Sequence, residues 1–346
     1  MNPRWRQRPP GSNWGDFGPD DELGRINLLT PEKVRQAAAE IREGLSFCLS
    51  MPLDYPGERK LNPRRGPPEL APTQRMGKPN MNFPLRKEDG HSPDVVSDDQ
   101  VLLTLQYSTQ WDSLAHVGAW FDADADGEPE MVYYNGYRAN EHVVGPVVHR
   151  DDGEDPCGPH RGALNLSVAN FAARPIQGRG VMVDFFAHFG PVRRALSYGD
   201  LQRVLDADRV TVEAGDLLVV RTGFTDLVME MDRHPDTARL DAVAMGLDGR
   251  DERLLQWITD SGIAAICADN YAVEFYPARD VPGPAPHLPL HHHCLFKLGI
   301  PLGELWWLKE LAAWLRANGR SRFMLTAPPL RLPGAVGSPV TPVATV

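Results

Sequence analysis

Three apolar, β-branched runs separated by helix-forming segments do most to limit what this chain can become. Residues 178–187 read GRGVMVDFFA, residues 216–223 read DLLVVRTG and residues 263–269 read IAAICAD. Between them lie YGDLQRVLDA (198–207) and DERLLQWITDSG (251–262), both of helical character. Strands alternating with helices in this way predict an α/β chain, a mixed β-sheet core with peripheral helices. Further helices are expected over 31–43, where Thr30-Pro31-Glu32 supplies an N-cap and a proline at the first helical position, and over 166–174, 289–299 and 309–319. Strands are expected at 46–53 and 322–332, and from Val101 through Asp112. There is no internal repeat, no G-x-G-x-x-G, no P-loop and no G-x-S-x-G, so a dinucleotide enzyme and an α/β-hydrolase lose their usual sequence support.

The chain has 346 residues, 42% of them hydrophobic, and a net charge of -10. That is enough to bury a sizeable core in one domain spanning 1–346. Irregular, Pro- and charge-rich excursions are expected around 54–99 and 121–162, the first as surface cover or an oligomer-contacting arm. Net acidity argues against nucleic acid and against an anionic membrane surface. No apolar run has a membrane span's length, and the N-terminus lacks the apolar core of a secretory signal. Cys48, Cys157, Cys267 and Cys294 are far apart and form no C-x-x-C. They read as free thiols of a reducing, cytoplasmic compartment.

Chemistry concentrates in two places. In Thr104–Gly118, TLQYSTQWDSLAHVG, an extended strand would put Gln106, Ser108, Gln110 and Asp112 on one face, and His116 follows. Gln110 and Asp112 would sit about 6.6 Å apart at Cα, close enough to share an ion. Gln106 would lie about 13 Å from Gln110 along a straight strand, so the chain would have to bend for both to reach one. Spacing alone leaves two readings, a solvent-facing sheet surface or a converging ligand set. The second place is HHHCLFKLGIPLGEL, with His291, His292, His293 and Glu304. Consecutive helical residues point about 100° apart, so the three histidines cannot all serve one site.

The two places together resemble the cyclase family of metal-dependent hydrolases, which includes kynurenine formamidase and isatin hydrolase. The family motif H-x-G-T-H-x-D-x-P-x-H is matched here at Thr109, Asp112 and His116, while Gln106, Ser108, Gln110 and Leu114 stand where it has His, Gly, His and Pro. This Q-x-x-x-Q-x-D-x-x-x-H form is similar to the branch containing zinc-dependent trans-dienelactone hydrolases. A second family signature, a His followed twelve residues later by Glu across an L-x-x-x-G-I-P-I-like turn, selects His292 and Glu304. Residues 14–34, 216–223, 269–277 and the tail PLRLPGAVGSP also resemble the family, so the likeness spans most of the chain.

The resemblance implies the swivelling β/β/α fold and one divalent ion, zinc first and manganese second, held by Asp112, His292 and Glu304. Gln106 and Gln110 would give amide oxygens to the ion or hydrogen-bond a water on it. It implies His116 as the catalytic base, and a homo-oligomer acting on a small molecule. Asp269 and Thr222, at the ends of expected strands, are substrate-binding candidates, and Trp111, Trp120 and Tyr134 could wall an apolar pocket. The leading expectation is opening of a lactone or related small carbonyl compound. The alternatives are amide hydrolysis of the formamidase or isatin type, and a non-catalytic small-molecule binder.

Overall fold

The computed structural model describes residues 4–150, 153–156 and 158–346. Cys157 lies outside them; Cys48, Cys267 and Cys294 are free thiols. A nine-stranded mixed sheet organises the molecule. Its strands in chain order are β1 (Ser46–Cys48), β2 (Gln110–Asp112), β3 (Gln177–Asp184), β4 (Leu217–Arg221), β5 (Ala265–Ala268), β6 (Leu302–Glu304), β7 (Arg322–Thr326), β8 (Gly337–Pro339) and β9 (Val343–Thr345). In space they run β1-β9-β7-β3-β4-β5-β6-β2-β8. The central β3, β4, β5 and β6 are parallel, and antiparallel strands flank them on both sides. The three apolar runs of the sequence therefore form the sheet's centre. All of β4 and β5 is buried, as a parallel sheet covered on both faces requires.

Several of the helices that cover the sheet begin at side-chain caps, of which the sequence identified Thr30. Helix α1 (Pro31–Ala38) begins with the Thr30 hydroxyl accepting from the Lys33 amide, and stops well short of Gly44. Helix α2 (Tyr198–Asp208) has a reciprocal capping box between Ser197 and Asp200. Then come α3 (Phe224–Glu230), α4 (Thr237–Ala242), α5 (Glu252–Ser261), capped by Asp251, and α6 (Lys309–Ala317). Pro289–His291 forms a short helical turn that widens into a π-helix over His292–Lys297. The main core includes Trp111, Val181, Val219, Ile266, Phe296 and Phe323. A smaller cluster holds Met51, Tyr55, Phe224, Val228, Leu240 and Leu305.

Two expectations need correction. The strand expected from Val101 through Asp112 is broken. Asp99–Leu102 pairs with Glu69–Pro72 on an outlying ribbon, and the sheet is entered only at Gln110. Polar Gln106, Ser108 and Thr109 fall in the connection, where Thr104 accepts from the Tyr107 amide in a turn. The excursion around 54–99 is also more ordered than its composition suggests, with short ladders 74–75 on 78–79 and 83–84 on 95–96. Among the described residues no helix is long and apolar enough to cross a membrane.

Candidate metal centre

Strand pairing assembles the site. On β2, Gln110 and Asp112 share a face. Strand β6 runs antiparallel beside it with Glu304 opposite Gln110 and Leu302 opposite Asp112, which adds the Glu304 carboxylate to that face. Gln110, Asp112 and Glu304 are all buried. The Gln110 amide nitrogen donates to Glu304 Oε2 at 3.0 Å and approaches Asp112 Oδ1 at 3.5 Å, so Gln110 ties the two carboxylates together.

The histidine that completes the cluster is His291. Its Nε2 lies 3.4 Å from Glu304 Oε1 and 4.0 Å from Asp112 Oδ2. Its Nδ1 lies 2.6 Å from Glu274 Oε1, and the Leu290 and His291 amides donate to the same buried carboxylate. Glu274 thus anchors both the helical turn and the ring, leaving Nε2 for the cluster. One ligand atom from each of Asp112, His291 and Glu304 falls within 4.8 Å of the others. His292, the residue the sequence register selects, is not in the cluster; its ring packs on Phe296 with centroids 4.9 Å apart. Burial lowers His292 to about 4, so it is neutral. His293 bonds Thr259 and the Leu255 carbonyl. The hundred-degree step per residue sends each histidine to a different environment.

The electrostatics favour a cation. Burial raises Asp112 above the ordinary carboxylate range, and among the described residues its buried Oδ2 and the buried Gln110 Oε1 have no hydrogen-bond partner. Burial would also raise Glu304, but the bond and charge of His291 outweigh it and hold Glu304 low. Burial works to lower His291, yet Glu274 and Glu304 push it up to about 10. Among the described residues the basic groups acting on these carboxylates are His291, His116 and Arg65, whose Nη1 lies 4.0 Å from Glu304 Oε2. Two carboxylates and one imidazole match a divalent ion in charge and donor type, and the orphaned Asp112 oxygen is a vacant donor.

The remaining candidates separate. His116 Nε2 is 3.8 Å from Asp112 Oδ1, and its ring centroid is 6.3 Å from that of His291, so it borders the cluster with part of its side chain exposed. Gln106 is half-buried in the connection before β2. Its amide lies hard against Gly337, which pairs with Asp112. Trp111 takes the opposite face of β2, donates its indole N–H to the Ala327 carbonyl at 2.8 Å and packs edge-on to Trp306. It is core, not pocket wall, because alternation turns it away from the carboxylates. Tyr134 is buried and Trp120 is exposed. Asp269 accepts from the Thr222 amide, the Thr222 hydroxyl and the Gly223 amide, each at 2.7 Å. The pair therefore closes a strand-end turn, with burial lifting Asp269 to about 7 against those three bonds. The residues that sequence reasoning left out of the site are His291, Glu274 and Arg65. His291 stood in the histidine run without being the one selected, Glu274 lies within the 269–277 stretch that resembles the family, and Arg65 carried no signal.

A second carboxylate group, Asp122, Asp124 and Glu130, is half-buried. Arg138 already meets Asp124 at 3.2 Å and Glu130 at 2.6 Å.

Comparison with known proteins bears on the family and the fold. The Cyclase family model, described as "Putative cyclase", matches residues 47–275. A solved structure described as a novel cyclase is 32% identical over 97% of this chain and 99% of its own, with a TM-score of 0.73. Isatin hydrolase A from Labrenzia aggregata, solved with benzyl benzoate, is 14% identical over 90% of this chain and 95% of its own, at a TM-score of 0.54. Isatin hydrolase A from Ralstonia solanacearum is 16% identical over 89% and 93%, at 0.53. No curated protein matches the chain.

Proposed function

This chain belongs to the cyclase family, and from its site we propose that it is a metal-dependent hydrolase of a small carbonyl compound. The observation that carries the reading is the convergence of Asp112, His291 and Glu304, buried and one ligand atom each within 4.8 Å. These three would hold a divalent cation, zinc or manganese by donor type. Such a cation lowers the pKa of a water and polarises the carbonyl to be attacked. Gln110 keeps the two carboxylates side by side, and Glu274 fixes the His291 ring so that Nε2 faces them. His116 borders the cluster with an accessible ring, the position of a group that takes the nucleophile's proton and returns it to the departing nitrogen or oxygen.

We place an amide, as in a lactam, ahead of a lactone as the bond broken. Isatin hydrolases share the fold over nine-tenths of the chain. The lactone reading keeps one argument, the glutamines at 106 and 110 in the pattern of the dienelactone branch. A purified preparation assayed for cation content and offered isatin, a simple lactone and an N-formyl aromatic amine tests the reading. Stoichiometric zinc or manganese with ring opening of isatin is expected. Absence of a bound cation, with no hydrolysis of any of the three after adding either metal, would overturn it and leave a binding protein. Opening of the lactone alone would reverse the order of amide and lactone.

A further inference from the structure

The excursion over 54–99 carries a charged group to the metal centre. Asn62-Pro63-Arg64-Arg65 is a tight turn in which the Arg65 amide donates to the Asn62 carbonyl at 3.0 Å and the Arg64 amide donates to Asn62 Oδ1 at 3.1 Å. Pro63 takes the second position, which its fixed φ suits. Asn62 is buried, and its Nδ2 donates to the Tyr271 hydroxyl at 3.0 Å. One asparagine thus holds Arg65 and Tyr271 in a fixed relation, with the guanidinium carbon 6.0 Å from the centre of the Tyr271 ring.

Both residues carry donors that the protein itself does not use. Arg65 Nη1 donates to the Gln106 carbonyl at 2.8 Å and lies 4.0 Å from Glu304 Oε2. Among the described residues its Nε and Nη2 meet no acceptor. A guanidinium is planar and always charged, so pinning Nη1 restricts where the other N–H groups point. The Arg65 side chain keeps 19% of its surface exposed. Tyr271 accepts from Asn62, and its own O–H proton has no acceptor among the described residues. Burial pushes the Tyr271 hydroxyl above its ordinary value against the charge of Arg65, so it remains a donor at neutral pH. Tyr271 is half-buried and lines a cavity of about 460 Å³, within a small molecule's reach. A charged donor beside Glu304 and a neutral one linked to it therefore stand unspent, while His116 stands beside Asp112.

We propose that Arg65 and Tyr271 are catalytic residues that hold the oxygen of the attacked carbonyl as it gains negative charge, and then the carboxylate that it becomes. The proposal deepens the hydrolase reading and rests on it for the reaction. The water oxygen adds to the carbonyl carbon, one water proton goes to His116, and the π pair moves onto the carbonyl oxygen, where the Arg65 and Tyr271 hydrogens meet it. The pair then returns, and the bond to the departing nitrogen or oxygen breaks with its electrons. The departing atom takes the proton that His116 holds. The new acid loses its remaining proton to solvent and is left as a carboxylate against Arg65. Donors that engage a charge present only after attack act on kcat and leave KM alone.

The test uses purified wild type, Arg65→Met and Tyr271→Phe, with cation content measured on each. Benzoate stands for the carboxylate product, and benzamide has the same shape without the charge; both are titrated calorimetrically into the full-length protein. Wild type is expected to bind benzoate saturably, and Arg65→Met to bind it at least about tenfold more weakly, while benzamide shifts by less than about twofold and the cation is retained. The carbonyl compound that wild type opens, whether isatin, the lactone or the N-formyl amine, serves for kinetics. Its kcat is expected to fall about 10²- to 10³-fold in Arg65→Met and about tenfold in Tyr271→Phe, with KM within about threefold. Tyr271→Phe removes a single oxygen and decides the matter if Arg65→Met does not fold. No saturable benzoate binding, equal losses for benzoate and benzamide, or a raised KM at unchanged kcat overturns the pair. Hydrolysis that both substitutions leave untouched sinks the pair alone. Benzoate binding that needs Arg65, in a protein without cation or hydrolysis, sinks the hydrolase reading alone.

Discussion

At the residue scale the site is a matter of which histidine faces the carboxylates. Asp112 was legible because strand alternation and a family motif both point to it, and Glu304 because of the second family signature alone. His291 was not, since the family register twelve residues before Glu304 selects the middle histidine, His292, whereas the fold makes the choice through Glu274, seventeen positions earlier in the chain than His291 and folded against its ring. Glu274→Gln keeps the shape but loses the charged acceptor. It is expected to weaken cation affinity about 10- to 100-fold, read by competition with a chelating dye; unchanged affinity would remove Glu274 from that role. His116→Ala should retain the cation and lose about 10²- to 10⁴-fold in turnover. Turnover within a factor of two of wild type would show that the proton goes elsewhere.

At the element scale, helix starts and the central strands followed from local chemistry, whereas the edge did not. Val101 and Leu102 look like sheet residues, yet both are exposed on the ribbon paired with 69–72, because apolar identity alone cannot say which partner strand a segment will find. The chain does bend between Gln106 and Gln110, at 107–109, and the Gln106 amide lies beside Gly337. The cap of α2 offers a separate test. Burial would raise Asp200, but the hydrogen bond from Arg194 and those from Ser197 overcome it and hold its carboxyl below the ordinary 3.8. A carboxyl lowered on folding stabilises in full above its unfolded value and loses that contribution as pH falls through the folded one. Asp200→Asn is therefore expected to cost about 1 kcal/mol at pH 7, with the gap to wild type closing once the pH is well below 3.8. Thermal melts across that range check it, and a gap that persists unchanged in acid would contradict the assignment.

At the scale of the whole molecule, the centre joins parts far apart in the chain: β2, the turn at Glu274, the helical turn ending at His291, and β6. A cation bound there ties these parts together and favours the folded state by mass action. Free cation at a hundred times its dissociation constant should add about 2.7 kcal/mol, seen as a higher Tm that a chelator reverses. The most direct measurement of the central claim is the cation content of His291→Ala and His292→Ala, each purified beside wild type and checked for a folded spectrum. The account predicts that His292→Ala holds one zinc or manganese per chain as wild type does, while His291→Ala holds none. A His291→Ala protein that keeps its cation, or a His292→Ala protein that alone loses it, would contradict the centre described.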